Sequence, residues 1–199
     1  MRVAVVTPFH KPNPAWLAQC HASVRAQTHP CTHLLVSDGA GPAPLTDFSG
    51  QTILLDRRHE DNGDTPRAIG WMSAITQGFD AVAFLDDDNW FEPQHIRSLI
   101  QLQEKTGAPI CTSRLELFDL AGERLGHDTM TDGITHVDTS CYLITRAAFG
   151  LVAAWTLMPA RFHACGDAWF WRRLKMRKFQ TRDSGLFTVC YRTTWPAHY

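Results

Sequence analysis

An α/β fold with a mainly parallel central sheet is what this sequence predicts, and three observations predict it. Short apolar and β-branched runs, such as Val3–Thr7 and Ala81–Leu85, alternate with stretches of helical apolar spacing through the first half. Capping and turn residues punctuate them: Asn-Pro, Asp-Gly, Thr-Pro and isolated glycines. Each strand-to-strand interval leaves room for a crossover helix, the pattern of βαβ units.

Val3–Thr7, ended by Pro8, reads as a buried strand. Asn13 supplies an N-cap and Pro14 the first helical position, and Trp16, Leu17, Cys20 and Val24 follow at helical spacing. His33–Gly39 reads as the second strand, closed by Asp-Gly, and Thr52–Leu55 as the third. After the polar loop "DRRHEDNGD", Thr65 and Pro66 form the cap and first turn of a helix. Its apolar face is Ala68, Ile69, Met72 and Ile75, and Gly78 ends it. Ala81–Leu85 is the fourth strand. Pro93 opens a helix carrying Ile96, Leu99 and Ile100, Gly107 closes it, and Pro109–Ser113 is the fifth strand.

The second half reads differently, with a small antiparallel portion. Arg114–Gly126 suggests a hairpin around Ala121-Gly122, "SCYLIT" a strand, and "RAAFGLVAAW" a short helix. Gly166–Phe179 predicts a helix that starts at an acidic residue, and two short strands near "RDS" and "LFTVCYR" close the chain. No linker divides the sequence, so the expectation is one domain over 1–199.

The 199 residues suffice for one sizeable core. A formal net charge of −1 gives no global basic field for nucleic acid. No apolar run reaches the roughly 18 residues of a membrane span. The six cysteines lack any C-x-x-C pair, which argues for free thiols in a reducing compartment and a cytoplasmic address.

Ligands of parallel sheets sit at the carboxyl ends of the strands. Thr7, Asp38 and Asp86–Asp88 fall there. The stretch "AFLDDDN" puts three carboxylates after an apolar strand, although adjacent like charges repel. On an extended segment Asp86 and Asp88 point to the same side and can approach one cation. Mg²⁺ or Mn²⁺ takes such oxygen ligands together with phosphate oxygens. The competing reading is a solvated acidic turn, with Asp88 or Asn89 capping the next helix.

The opening "VAVVTPFHKPNPAWLAQCHASVRAQTHPCTHLLVSDGA" resembles that of family 2 glycosyltransferases of the GT-A fold, including the S-x-x-x-Q-T-x-P pattern at Ser23, Gln27, Thr28 and Pro30. "NGDTPRAIGW", "FLDDDNWFEP" and "GDAWFWRRL" are similar, in order, to three further segments of that family. The resemblance implies a single GT-A domain, with a nucleotide-binding half at 1–113 and an acceptor-side half at 114–199, and a metal-dependent, inverting transfer from a nucleotide-diphosphate sugar, with UDP favoured, to an acceptor hydroxyl. It places Thr7, Pro8 and Phe9 on the nucleoside, Asp38 on the base and Arg67 near the base or phosphates. Asp86 falls near the ribose, Asp87 at the variable position, and Asp88 on the metal. Asp167 is the implied general base; Gly166 stands where the family often has Glu, and Asn89 where a fourth acid is frequent.

Each residue has a plainer alternative. Asp38 suits an Asx turn with Gly39, Arg67 an exposed helix surface, and Asp167 a first-turn acid favoured by the helix dipole. His198 is a candidate metal ligand that competes with an unstructured terminus. By the resemblance His136 lies where the family approaches the donor sugar, but it reads first as structural, and Phe170 as core, while one tryptophan of Trp169 and Trp171 is free to line an acceptor site. The run Arg172, Arg173, Lys175, Arg177 and Lys178 is most simply a solvated face, with an anionic acceptor, a phosphorylated lipid or peripheral membrane contact as its second reading. The acceptor itself is unspecified: glycan, lipid-linked or small molecule. Two other functions compete. A sugar-nucleotide pyrophosphorylase would want a glycine-rich loop where "TPFHKPNPAW" stands, and a non-catalytic nucleotide-sugar-binding relative would suit a short chain.

Overall fold

The computed structural model describes residues 1–194. Nine strands form one sheet in the order β3-β2-β1-β4-β8-β6-β9-β5, with β7 on β6. β1 (Val3–Phe9), β2 (Cys31–Ser37), β3 (Gln51–Leu54) and β4 (Ala81–Phe84) run parallel, with Val3 opposite both Cys31 and Ala81. Every residue of β1 and β4 is buried, which is why both read as continuous apolar runs rather than alternating ones. β8 (Tyr142–Thr145) is antiparallel to β4 and to β6 (Ile110–Phe118). β6 pairs in parallel with β9 (Thr181–Arg192) and antiparallel with β7 (Arg124–His127), while β5 (Trp90–Phe91) adds to β9.

Helices cover the sheet. α1 (Pro14–Arg25) starts where expected: the Asn13 side chain accepts from the backbone N–H of Ala15 at 2.9 Å. α2 (Asp64–Thr76) begins earlier than Thr65, because Gly63 takes φ +84° and the Asp61 carboxylate accepts from the Thr65 N–H at 2.9 Å. α3 (His95–Thr106) ends at left-handed Gly107, as predicted. The segment "RAAFGLVAAW" is two turns of 3₁₀ helix over Arg146–Leu151 followed by the short α4 (Val152–Thr156), with Gly150 at the change. α5 (Gly166–Met176) carries Asp167 in its first turn.

Three other expectations change. The fifth strand and the first arm of the hairpin are one strand, β6. The two closing strands are one strand, β9, which shifts register against β6 around Gly185, where φ is +70°. The short β5 went unpredicted, since two residues give no periodicity. Trp71, fully buried on α2, centres the core, with the rings of Phe84, Phe149 and Phe170 at 5.5, 6.1 and 6.2 Å.

Candidate active site

A cleft of about 370 Å³ opens at the carboxyl ends of β1, β2 and β4. It is lined by Pro8 and Phe9, by Asp38, by residues 60–63 with Arg67 at the head of α2, and by Asp86–Asp88. Of the residues expected on the nucleotide, all but Thr7 line it. Thr7 is fully buried, and its hydroxyl lies 2.8 Å from His33 Nε2, so its side chain serves the packing between sheet and α1. Phe9 is 3% exposed and packs on Leu17 and Leu35 beneath the cleft.

The acidic segment is a turn, not an extended strand. The Asn89 N–H donates to the Asp86 carbonyl at 3.1 Å, so the same-side argument from strand geometry does not hold for Asp86 and Asp88. Asn89 does not cap a helix either: it is 1% exposed, and its Oδ1 accepts from the Arg192 N–H at 2.8 Å. Arg192 reaches from β9 between Trp16 and Trp90 and donates to the Asp88 carbonyl and to Gln19. From the other side, the Phe91 N–H donates to Ser23 Oγ at 3.1 Å, and the Thr28 N–H to the Pro93 carbonyl at 2.8 Å. Gln27 bridges the Glu92 carbonyl and the Ile96 N–H. Three residues of the S-x-x-x-Q-T-x-P pattern therefore clamp the chain just beyond the acidic turn.

The turn holds strained charge. Burial, reinforced by Asp88 and Asp86, pushes the Asp87 carboxyl up to about 7; burial and then Asp86 push Asp88 up to about 6. Arg67 pairs with Asp86 and donates to the Asn62 carbonyl at 2.7 Å. It is 8% exposed, not a surface arginine, and its Nε has no partner among the described residues. Gly63 makes this placement fit, because a Cβ there would stand 3.1 Å from the Arg67 guanidinium and 3.2 Å from Pro8. Asp38 is taken up by His59, whose backbone N–H lies 3.1 Å from both carboxylate oxygens and whose Nδ1 lies 2.6 Å from Oδ1. Its local job is to hold the loop before α2, not an Asx turn with Gly39.

Two further cavities follow, one adjoining the first and the next adjoining that one. One of about 260 Å³ shares Arg67 and Asp86 with it and adds Asp64, Asp138, Trp155, His163 and Asp167. The other, about 490 Å³, lies on the far side of Asp167 and is walled by Leu115, Met130, His136, Asp138 and Tyr191. Asp167 thus stands between the acidic turn and an open, partly apolar space. Its Oδ1 accepts from the Ala168 N–H at 2.6 Å and its Oδ2 lies 3.2 Å from His136 Nε2. Burial pushes the Asp167 carboxyl up, but the His136 contact and the Ala168 N–H outweigh it and hold the group below its ordinary value. The same contact raises His136. Asp132 sets that imidazole, since its Oδ1 accepts from the backbone N–H groups of Ile134, Thr135 and His136.

Sequence reasoning missed several of these groups. His136 was expected to be structural. Asp138, raised to about 7 by burial and then by Asp86, gave no signal beyond one acid in a loop. Asp64, raised to about 6 by burial and held 2.7 Å from His163, was taken as ordinary loop polarity. Asp64 also explains Gly166: a Cβ at 166 would stand 2.9 Å from Asp64 Oδ1 and 3.2 Å from the Trp155 ring. Neither Trp169 nor Trp171 lines these cavities; Trp155 does. Among the described residues no three His, Cys, Asp or Glu side chains converge in a metal-holding group, and His198 lies outside the described residues.

Comparison with known proteins gives this geometry a family. The chain resembles the succinoglycan biosynthesis protein ExoW of Rhizobium meliloti (strain 1021), with 31% identity over 107 residues, 50% of this chain and 33% of that protein. The S. aureus TarS 1-349 structure in complex with UDP-GlcNAc superimposes with a TM-score of 0.70 at 11% identity, over 100% of this chain and 60% of that one. The complex of the same protein with UDP gives 0.68 at 12% identity, over 97% and 61%. The chain thus spans a third of its curated relative and about three-fifths of these structures, and the structural likeness establishes the GT-A fold. The family model for glycosyl transferase family 2 matches residues 4–149. With nearly three-quarters of its length inside that match, the chain belongs to glycosyl transferase family 2.

Proposed function

We propose that this chain catalyses metal-dependent, inverting transfer of a sugar from a nucleoside diphosphate, UDP favoured, to an acceptor hydroxyl. The observation that carries the reading is the row of adjoining cavities: Asp38, Arg67 and the acidic turn line one side, Asp167 stands on the other, and Arg67 and Asp86 border both. TarS, of the same fold, is seen with UDP and with UDP-GlcNAc.

The acidic turn suits a divalent cation. Asp87 and Asp88 offer oxygen donors whose proton affinity is raised by burial first and by neighbouring carboxylates second. One or two carboxylates, with phosphate oxygens, are what Mg²⁺ or Mn²⁺ needs, so a three-ligand protein cage is not required. Asp88, with Asp87 beside it, would hold the ion, which supplies charge neutralisation at the diphosphate. Arg67 presents a buried guanidinium at the same place, a fixed positive group for the phosphates. Pro8 and Phe9 provide an apolar wall for the nucleoside.

Asp167, held ionised beside His136, takes the proton from the acceptor hydroxyl as that oxygen attacks. The cavity beyond it, with Leu115, Met130 and Tyr191, receives the acceptor. Isothermal titration with UDP, with and without Mn²⁺, tests the donor side: binding that requires Mn²⁺ and is lost in Asp88→Ala is expected. Absence of any UDP binding removes the reading. Asp167→Asn should retain UDP binding and lose donor turnover by 10²-fold or more, on the order expected for a general base.

A further inference from the structure

The outer face of α5 mixes apolar and cationic groups in a way that neither the cleft nor the core explains. Trp169, Arg172, Arg173 and Met176 are spaced i, i+3, i+4 and i+7, so they share one side of the helix. Phe170, Trp171 and Leu174 take the opposite side and are buried. Met176 is 62% exposed, and Leu157, at the end of α4, is 74% exposed. Leu157 belongs to the same face: the Trp169 indole N–H donates to the Ala154 carbonyl at 3.3 Å, one turn before it.

The aromatic groups of this face are dressed with cations. Phe162 stacks on Trp169 at 4.4 Å, and the guanidinium groups of Arg161 and Arg173 lie over these two rings at 4.8 and 5.4 Å. Between residues 157 and 178 the sequence holds six Arg and Lys residues and one carboxylate, Asp167, which faces the cleft. None of the six has an ion-pair partner among the described residues. In a chain of net charge −1 that is a segregation of charge, not an average surface.

A solvated charged face needs no exposed Leu and Met at its centre, and the sugar-phosphate backbone of a nucleic acid offers nothing apolar to cover them. A lipid headgroup region offers both complements at once, anionic groups for the cations and acyl-chain tops for the aliphatic and aromatic groups. We propose that this face docks the protein on an anionic bilayer surface, with α5 lying among the headgroups, Leu157 and Met176 reaching below them and Arg161, Arg172 and Arg173 at their level. Asp167 opens the same helix, so docking fixes the height of the cleft above the bilayer. The proposal goes beyond the transfer reading and stands without it.

Co-sedimentation of the full chain with phosphatidylcholine vesicles, and with equimolar phosphatidylcholine and phosphatidylglycerol, tests it. Binding to the anionic vesicles only, weakened by salt, is expected. At about fivefold per cation, the equivalent of about 1 kcal/mol each, Arg172→Gln with Arg173→Gln should lower partitioning by more than tenfold. Leu157→Ser with Met176→Ser should lower it as well, with the wild-type melting temperature kept in both variants. If a variant does not fold, the salt dependence of the wild type decides. No anionic-vesicle binding, equal binding to neutral vesicles, unchanged partitioning in both folded variants, or an oligonucleotide bound as tightly as the vesicles would each overturn the proposal. UDP titration of the same preparation is read separately, so vesicle binding without UDP binding sinks the transfer reading alone.

Discussion

The two walls of the cleft are built by different means. The wall at β1, β2 and β4 hangs on parallel strands with fixed register: Pro8 and Phe9 close β1, Asp38 follows β2 and Asp86 stands two residues after β4. The wall at Asp167 hangs on loops and 3₁₀ turns: Asp138 caps a single turn at Thr139–Cys141, His136 is set by Asp132, and Gly166 follows the turns of Ala160–Cys165. On the first wall the backbone ladder sets where the groups start and long-range side-chain bonds, such as those of Gln27 and Arg192, brace the turn that follows; on the second wall no ladder contributes, and local side-chain hydrogen bonds hold the loops. The lesson is that substitutions should act through charge on the first wall and through local shape on the second.

The largest effect expected is at the joint between the walls. Arg67→Met leaves Asp86 and Asp64 without their buried cation, and breaking such a pair costs about 3–5 kcal/mol. Denaturant melts should show that loss, and UDP titration the loss of binding. If stability is unchanged, the two walls are not coupled through Arg67. Next is Gly166→Ala, whose methyl would stand 2.9 Å from Asp64 Oδ1. Overpacking of this kind costs about 1–3 kcal/mol. Gly166→Ala combined with Asp64→Ala should recover most of it in a double-mutant cycle, and full additivity would refute the contact.

His136→Gln removes the group that holds the Asp167 carboxyl low. The Asp167 pKa should then rise, moving the acid limb of the donor-turnover profile to higher pH. A shift of one unit is about tenfold in rate below that limb, with little change on the plateau. A uniform drop at every pH would mean that His136 only shapes the loop. The smallest effect is at Asp87, in metal-free buffer. Its folded value, about 7, lies above the ordinary 3.8, so the native state binds more protons than the unfolded chain between those limits. Stability therefore falls as pH rises through that window. Asp87→Asn should melt like wild type near about pH 4 and be the more stable of the two near about pH 8. Added Mn²⁺ should narrow the difference if the turn holds the ion.

This contrast also sets what the sequence made legible. β1, β2 and β4 announced themselves as apolar runs ended by Pro8, by Asp38-Gly39 and by the acidic triplet, so the residues that line the cleft from the strand ends could be named in advance. The shape of the triplet was not, because alternation along a strand says nothing about the turn after it. Ser23 and Gln27 could be recognised as a pattern, but their purpose needed their partners, about 65 residues away in sequence. Asp138, Asp64 and His136 stayed hidden because single polar residues in loops carry no period. Arg192 was invisible for a stronger reason: it contacts Asp88 across 104 positions, and no local signal spans that distance.

That last contact bears on synthesis at the ribosome. The acidic turn is translated about a hundred residues before one of its braces, Arg192 on β9. A nascent chain can lay down the first four strands, but its acidic turn stays unbraced on this side until β9 has left the exit tunnel and slotted beside β6. The turn therefore takes its final shape long after its own residues have emerged.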